Sequence, residues 1–78
     1  MELRTISQVS RDYGITARML RYYEQVGLIQ SQRKDDYAYR VYDKAALIRL
    51  RQVIVLRKLR VPVKQIVSIL INPYWHAL

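Results

Sequence analysis

The sequence predicts a small, mainly α-helical domain carrying one short β arm, and three observations lead there. Two stretches of helical period flank a glycine at position 14, a tyrosine-rich stretch around residues 37–42 alternates with period two, and residues 44–71 return to the helical period with no glycine. At 78 residues the chain forms one domain near the lower size limit of independent stability. Its apolar fraction of 51% excludes a disordered tail.

The first helix keeps Leu3, Ile6, Val9 and Tyr13 on one apolar stripe, with Ser7, Gln8, Arg11 and Asp12 opposite. Thr5 and Gln8 have the spacing of a capping box, each side chain answering the other's backbone amide. Gly14 ends this helix, Ile15 packs inward, and Thr16 caps the second helix at once. Gly27 suits the left-handed position beyond that helix, and Leu28 the apolar contact that follows it. Between those signals Leu20 and Tyr23, with Met19 beside them, can face inward, whereas Arg18, Arg21 and Tyr22 cannot all do so. Two short helices joined by a glycine turn are the helix-turn-helix signature. The basic and aromatic outer face of the second helix calls for a polar, anionic partner.

From Ile29 the helical period stops. Gln30 to Asp36 reads as a polar loop, with Asp35 and Asp36 as its turn. Residues 37–42 then read as a strand or hairpin arm, with Tyr37, Tyr39 and Val41 on one face and Ala38, Arg40 and Tyr42 on the other. Such an arm after a helix-turn-helix resembles the wing of a winged helix. Asp43 caps a third helix that runs to about Arg60, with Leu47, Leu50, Val53 and Leu56 as its inner stripe. Pro62 fits the start of a fourth helix, which Val63, Ile66, Val67, Ile69, Leu70 and Ile71 make apolar almost all round. Ile48, Ile54 and Val55 add more apolar surface than one inner face requires, so a partner subunit or a further segment is expected to cover it. The fourth helix breaks at Asn72-Pro73. The expected organisation is a domain over residues 1–71 and a tail, 72–78, that begins a missing dimerisation or effector region.

Fourteen Lys and Arg against six Asp and Glu leave a net charge of +8, and no acid follows Lys44. A field of that size on so small a body points first to a polyanion. The chain has no cysteine, which excludes disulfides, thiolate metal sites and a cysteine nucleophile within it. No window approaches the roughly 20 apolar residues of a membrane span, and no apolar leader opens the chain, so the expected setting is cytoplasmic, with no membrane partner. His76, the lone histidine, has no second ligand near it in sequence. With no paired carboxylates in a promising setting and no glycine-rich phosphate loop, neither an enzyme nor a cofactor or metal site is expected.

In this order of elements the sequence resembles the DNA-binding domain of MerR-family transcriptional regulators, over nearly its whole length. Thr16-Ala-Arg-Met-Leu-Arg-Tyr-Tyr-Glu-Gln-Val-Gly-Leu matches that family's Ser/Thr-x-x-x-Leu-Arg-Tyr-Tyr-Glu-x-x-Gly-Leu pattern at every fixed position. Tyr39-Arg40-Val41-Tyr42 corresponds to the family's Gly-Tyr-Arg-x-Tyr wing, and Leu56-Arg57-Lys58-Leu59 to the end of its third helix. Two places depart from the pattern: Tyr37-Ala38 replaces the usual Asn-Gly before the wing, and Arg60-Val61-Pro62 replaces Gly-Phe-Ser before the fourth helix. The resemblance implies a winged helix-turn-helix that binds a pseudo-palindromic promoter element of double-stranded DNA at the bacterial nucleoid. It further implies a homodimer through a helix beyond residue 78, an effector domain outside this segment, and action on RNA polymerase through distortion of the promoter.

The residue roles follow from that reading. Arg18 and Arg21 are candidates for the major groove, where an Arg fork pairs with guanine or clamps a phosphate. The plainer role is a solvated face, or an ion pair of Arg21 with Asp12 or Glu24. Thr16 caps its helix and adds a phosphate contact at the positive helix end. One of Tyr22 and Tyr23 packs inward while the other sends its hydroxyl to a phosphate; the resemblance gives the phosphate to Tyr23, which leaves Tyr22 to the core. Tyr39 and Arg40 hold flanking backbone or minor groove, Arg33 and Lys34 add charge, and Arg57 reaches a phosphate from the third helix. Two other classes compete: an excisionase-like architectural DNA-binding protein, and a protein-interaction module whose basic surface is incidental.

Overall fold

The computed structural model describes residues 3–33 and 40–71. Their elements run β1 (Arg4–Thr5), α1 (Ile6–Tyr13), α2 (Ala17–Gln25), β2 (Gln32–Arg33), β3 (Arg40–Tyr42), α3 (Lys44–Lys58) and α4 (Val63–Ile71). The fold is mainly helical, as expected, and the β arm belongs to a three-stranded antiparallel sheet in the order β1-β3-β2.

The local signals of the first two helices act as their chemistry requires. Gln8 N–H donates to Thr5 Oγ1 at 3.2 Å and Thr5 N–H to Gln8 Oε1 at 2.9 Å, closing the capping box. Gly14, at φ 66°, takes the left-handed turn that a side chain would resist. Asp43 Oδ1 accepts from Ala46 N–H at 2.9 Å and starts α3, while its Oδ2 accepts from Gln32 Nε2 at 3.0 Å. One carboxylate thus caps a helix and pins β2 beside it.

Helix α3 ends without a glycine. Arg60 N–H donates to the Arg57 carbonyl at 2.9 Å and Val61 N–H to that of Leu56 at 3.0 Å, the paired bonds of a Schellman end. Arg60 therefore occupies the left-handed position, at φ 65°, where glycine is the easy residue. Pro62 stands just before α4, and its carbonyl accepts from Gln65 and Ile66, so its missing N–H costs nothing.

The core lies where α1, α2, α3 and α4 meet over Tyr42, with Val9, Leu20, Leu28, Leu50, Val53 and Ile66 fully buried. Leu47, Leu50 and Val53 are buried as the α3 stripe predicts. Sequence patterning misses four features. Leu3 lies before the first helix rather than on its stripe, because the chain there runs into a strand in which Arg4 and Thr5 pair with Tyr42 and Val41 of β3. Gln32 and Arg33 are strand rather than loop, paired with Val41 and Arg40. The alternation expected for the arm breaks at its base: Val41 and Tyr42 are both buried, because β3 is the middle strand of the sheet. Met19, expected beside the inner stripe, is 38% exposed. The turn at Asp35-Asp36, the strand residues Tyr37 to Tyr39, and the tail 72–78 lie outside the described residues. Of the apolar residues expected beyond the inner stripe of α3, Ile48 and Val55 are exposed while Ile54 packs against the core, and Leu59 at the end of α3 and Ile71 of α4 are exposed too.

Candidate nucleic-acid interface

Helix α2 is held rigidly at both ends. Thr16 Oγ1 accepts from Met19 N–H at 3.1 Å. At the other end Leu28 N–H donates to the Tyr23 carbonyl at 2.9 Å and Gly27 N–H to that of Glu24 at 3.0 Å, with Gly27 at φ 87°. Leu20 and Tyr23 are buried along one side, which leaves Arg18, Met19, Arg21 and Tyr22 on the other. Arg18, Arg21 and Tyr22 fall at i, i+3 and i+4 and so form one exposed ridge.

Tyr23 faces inward with Leu20, as the helical period allows, and the expectation that Tyr22 packs into the core is not met. The Tyr23 ring is buried, 4% exposed, while Tyr22 is 44% exposed, so Tyr22 is not a core residue. The reason is register: Tyr23 follows Leu20 by three residues and shares its stripe, whereas Tyr22 follows Arg18 by four. Tyr23 makes no hydrogen bond among the described residues, and none of their buried side-chain polar atoms lacks a partner, so its hydroxyl opens at the surface. Its ring centroid lies 6.3 Å from that of Tyr22.

Electrostatics leave this ridge cationic. Asp12 is taken by Arg4, at 2.7 Å, and Glu24 by Arg40, at 3.2 Å. The pairing of Arg21 with Asp12 or Glu24 that helical spacing allows is therefore not formed, and Arg18 and Arg21 have no ion pair among the described residues.

The base of the arm carries a second cationic feature. Arg33 of β2 and Arg40 of β3 are register partners. Directly opposed residues of an antiparallel pair share one face, and like charges there repel unless something negative is near. Glu24 supplies one such group. Its side chain is only 13% exposed and gathers three donors: Ser31 Oγ at 2.5 Å and Arg40 Nη1 at 3.2 Å on Oε1, and the Tyr42 hydroxyl at 2.6 Å on Oε2. Burial, then the hydrogen bond and charge of Glu24, push the Tyr42 hydroxyl well above the ordinary tyrosine range, while Arg40 and Arg21 pull it back. Tyr42 is thus a neutral donor locked onto a carboxylate.

Of the other expected contacts, Arg33 is exposed, and Lys34 and Tyr39 lie outside the described residues. Arg57 is exposed, and its Nη1 donates to the Val61 carbonyl at 3.0 Å, fastening the α3–α4 connection. Glu24 and Tyr42 are the residues that sequence reasoning passed over as a unit. One signal was present: Glu24 stands four residues after Leu20, an acid beside the inner stripe. Among the described residues no group of three or more His, Cys, Asp or Glu is placed to hold a metal, and no helix is long and apolar enough to cross a membrane.

Residues 4–72 match a family described as MerR HTH family regulatory protein. The chain is 34% identical over 73 residues to the HTH-type transcriptional regulator SkgA of Caulobacter vibrioides, covering 94% of this chain and 29% of that protein. It is 30% identical over 69 residues to the HTH-type transcriptional activator TipA of Streptomyces coelicolor, covering 88% of this chain and 27% of that protein. A crystal structure of SkgA from Caulobacter crescentus superposes with a TM-score of 0.80 at 34% identity, over 94% of this chain and 52% of that one. The chain therefore spans less than a third of the length of these two regulators.

Proposed function

This chain belongs to the MerR helix-turn-helix family of regulatory proteins, and from that premise we propose that it binds double-stranded DNA specifically and serves as the DNA-reading part of a transcription regulator at a promoter. The observation that carries the reading is the outer ridge of α2, where Arg18 and Arg21 stand exposed and without an ion pair among the described residues while Leu20 and Tyr23 anchor the opposite side. The ridge enters the major groove, with Arg18 and Arg21 on base edges or phosphates. Thr16, Tyr22 and the surface hydroxyl of Tyr23 take backbone contacts around it. Arg33, Lys34, Tyr39 and Arg40 hold the flanking backbone or minor groove, and Arg57 meets a phosphate from α3.

The exposed Ile48, Val55, Leu59 and Ile71 support a homodimer covered by a helix beyond residue 78, reading a pseudo-palindromic element. Residues 1–71 form the DNA-reading domain, and 72–78 begin the dimerisation and effector region. Action on RNA polymerase is indirect, through the DNA, at the nucleoid in the cytoplasm.

The test is binding to duplex DNA from the protein's own upstream region at two salt concentrations, with Arg18→Ala, Arg21→Ala as the comparison. Specific binding that weakens steeply with salt and is lost in the double variant supports the assignment. Each phosphate contact removed lowers the salt slope by about 0.9. Binding that is only non-specific and survives the double substitution overturns it.

A further inference from the structure

The position of Glu24 between two elements that the preceding reading places on DNA assigns it a role of its own. We propose that Glu24 is the positioning residue of the interface, holding strand β3 to helix α2 and aiming the Arg40 guanidinium at the phosphate beside the arm. The inference rests on the DNA-binding reading and deepens it.

The geometry carries the argument in three steps. Glu24 belongs to α2, yet two of its three donors, Arg40 and Tyr42, belong to β3, 16 and 18 residues further along. Its carboxylate is therefore a direct side-chain tie between recognition helix and arm. Second, the Glu24–Arg40 bond uses Nη1 alone, and the Arg40 side chain remains 42% exposed. A guanidinium is a planar fork of five donors, so fixing one nitrogen sets the direction of those left over. Third, Arg33 stands opposite Arg40 in the sheet, so Arg40 is repelled on one side and held on the other. A long side chain so placed reaches a phosphate already ordered, whereas a free one must be ordered on binding.

Removing the Glu24 charge also has a plain effect of opposite sign, since one less anion near DNA favours binding. That effect acts whether or not Arg40 is present, and a double-mutant cycle separates the two. The affinity and salt slope for duplex DNA from the protein's own upstream region are measured for the wild type, Glu24→Gln, Arg40→Ala and the double variant. Thermal melting of each variant verifies that it is folded. The expected result is that Glu24→Gln is roughly three- to tenfold less favourable to binding with Arg40 present than with Arg40→Ala, the size of re-ordering one long side chain.

Tyr42→Phe supplies a second route to the same quantity. Tyr42 is 1% exposed and cannot itself touch DNA, but its hydroxyl holds Glu24. It is expected to weaken binding in the Arg40 background and to leave Arg40→Ala unchanged. Equal effects of Glu24→Gln in both backgrounds overturn the proposal and reduce Glu24 to a structural residue. A gain in affinity confined to the Arg40 background overturns it in the other direction, because Glu24 would then compete with DNA for Arg40. If the wild type shows no salt-sensitive binding at all, the DNA-binding reading fails, which is a distinguishable outcome.

Discussion

Replacing Tyr42 by Phe tests the internal chemistry of the site without reference to DNA. The ring is 1% exposed and stays in place, so no cavity opens; what is lost is one hydroxyl donating at 2.6 Å to Glu24 Oε2. Hydrogen bonds to charged groups contribute about 1.5–3 kcal/mol. Ser31 and Arg40 still hold Oε1, and the Glu24 side chain keeps 13% exposure, which places the loss at the lower end, about 1.5–2 kcal/mol. A chain of this length has about 4–12 kcal/mol in all. The melting temperature is expected to fall by about 6–16 °C, at roughly 4–8 °C per kcal/mol for a small domain.

The same bond fixes a pH dependence. The folded Tyr42 hydroxyl is held above its ordinary value of 10.0, so the contribution is complete below pH 10 and is lost as pH rises beyond it, where the unfolded chain ionises first. Urea unfolding of wild type and Tyr42→Phe across pH 7 to 11 reads this directly. The gap between them is expected to narrow by up to about 1.4 kcal/mol per pH unit above 10. Equal stability at pH 7, or a gap that does not change across pH 10, refutes the reasoning.

Three further predictions concern helix ends. Arg60→Gly is expected to raise stability by about 0.5–1 kcal/mol, since it relieves a side chain at φ 65°, offset in part by the entropy of glycine. Gly27→Ala, at φ 87°, is expected to cost about 1 kcal/mol from backbone strain alone, because the added Cβ meets only Ile71 Cδ1 at an ordinary 3.6 Å. Opposite signs in the two melts check both; the same sign would contradict the left-handed assignment of one of them. Thr16→Asp preserves the cap, so stability should stay within about 0.5 kcal/mol. It also sets a negative charge where Thr16 is proposed to meet a phosphate, and affinity for DNA should fall about tenfold or more. Unchanged affinity would leave Thr16 a cap only.

What this sequence determines by itself is what neighbours within a turn or two decide. Thr5 with Gln8, Thr16, Asp43, Gly14 and Gly27 start and stop the helices where their own side chains and backbone preferences say. The apolar spacings of α1, α2 and α3 select the residues that become core, and the stripe on α2 leaves Arg18 and Arg21 outside. The tertiary structure decides whatever depends on residues far apart in the chain. A two-residue strand such as β1 or β2 has too few positions to show a period, and it exists only because β3 lies between them to satisfy its backbone. The burial of both Val41 and Tyr42 follows from that middle place. The inward place of Tyr23 is legible in its three-residue spacing from Leu20, whereas the exposure of Met19 beside them is decided by what α2 packs against. The choice of Arg40 rather than Arg21 as the partner of Glu24 is made by the approach of β3 to α2, a distance that no local pattern encodes, and it is this choice that ties the arm to α2.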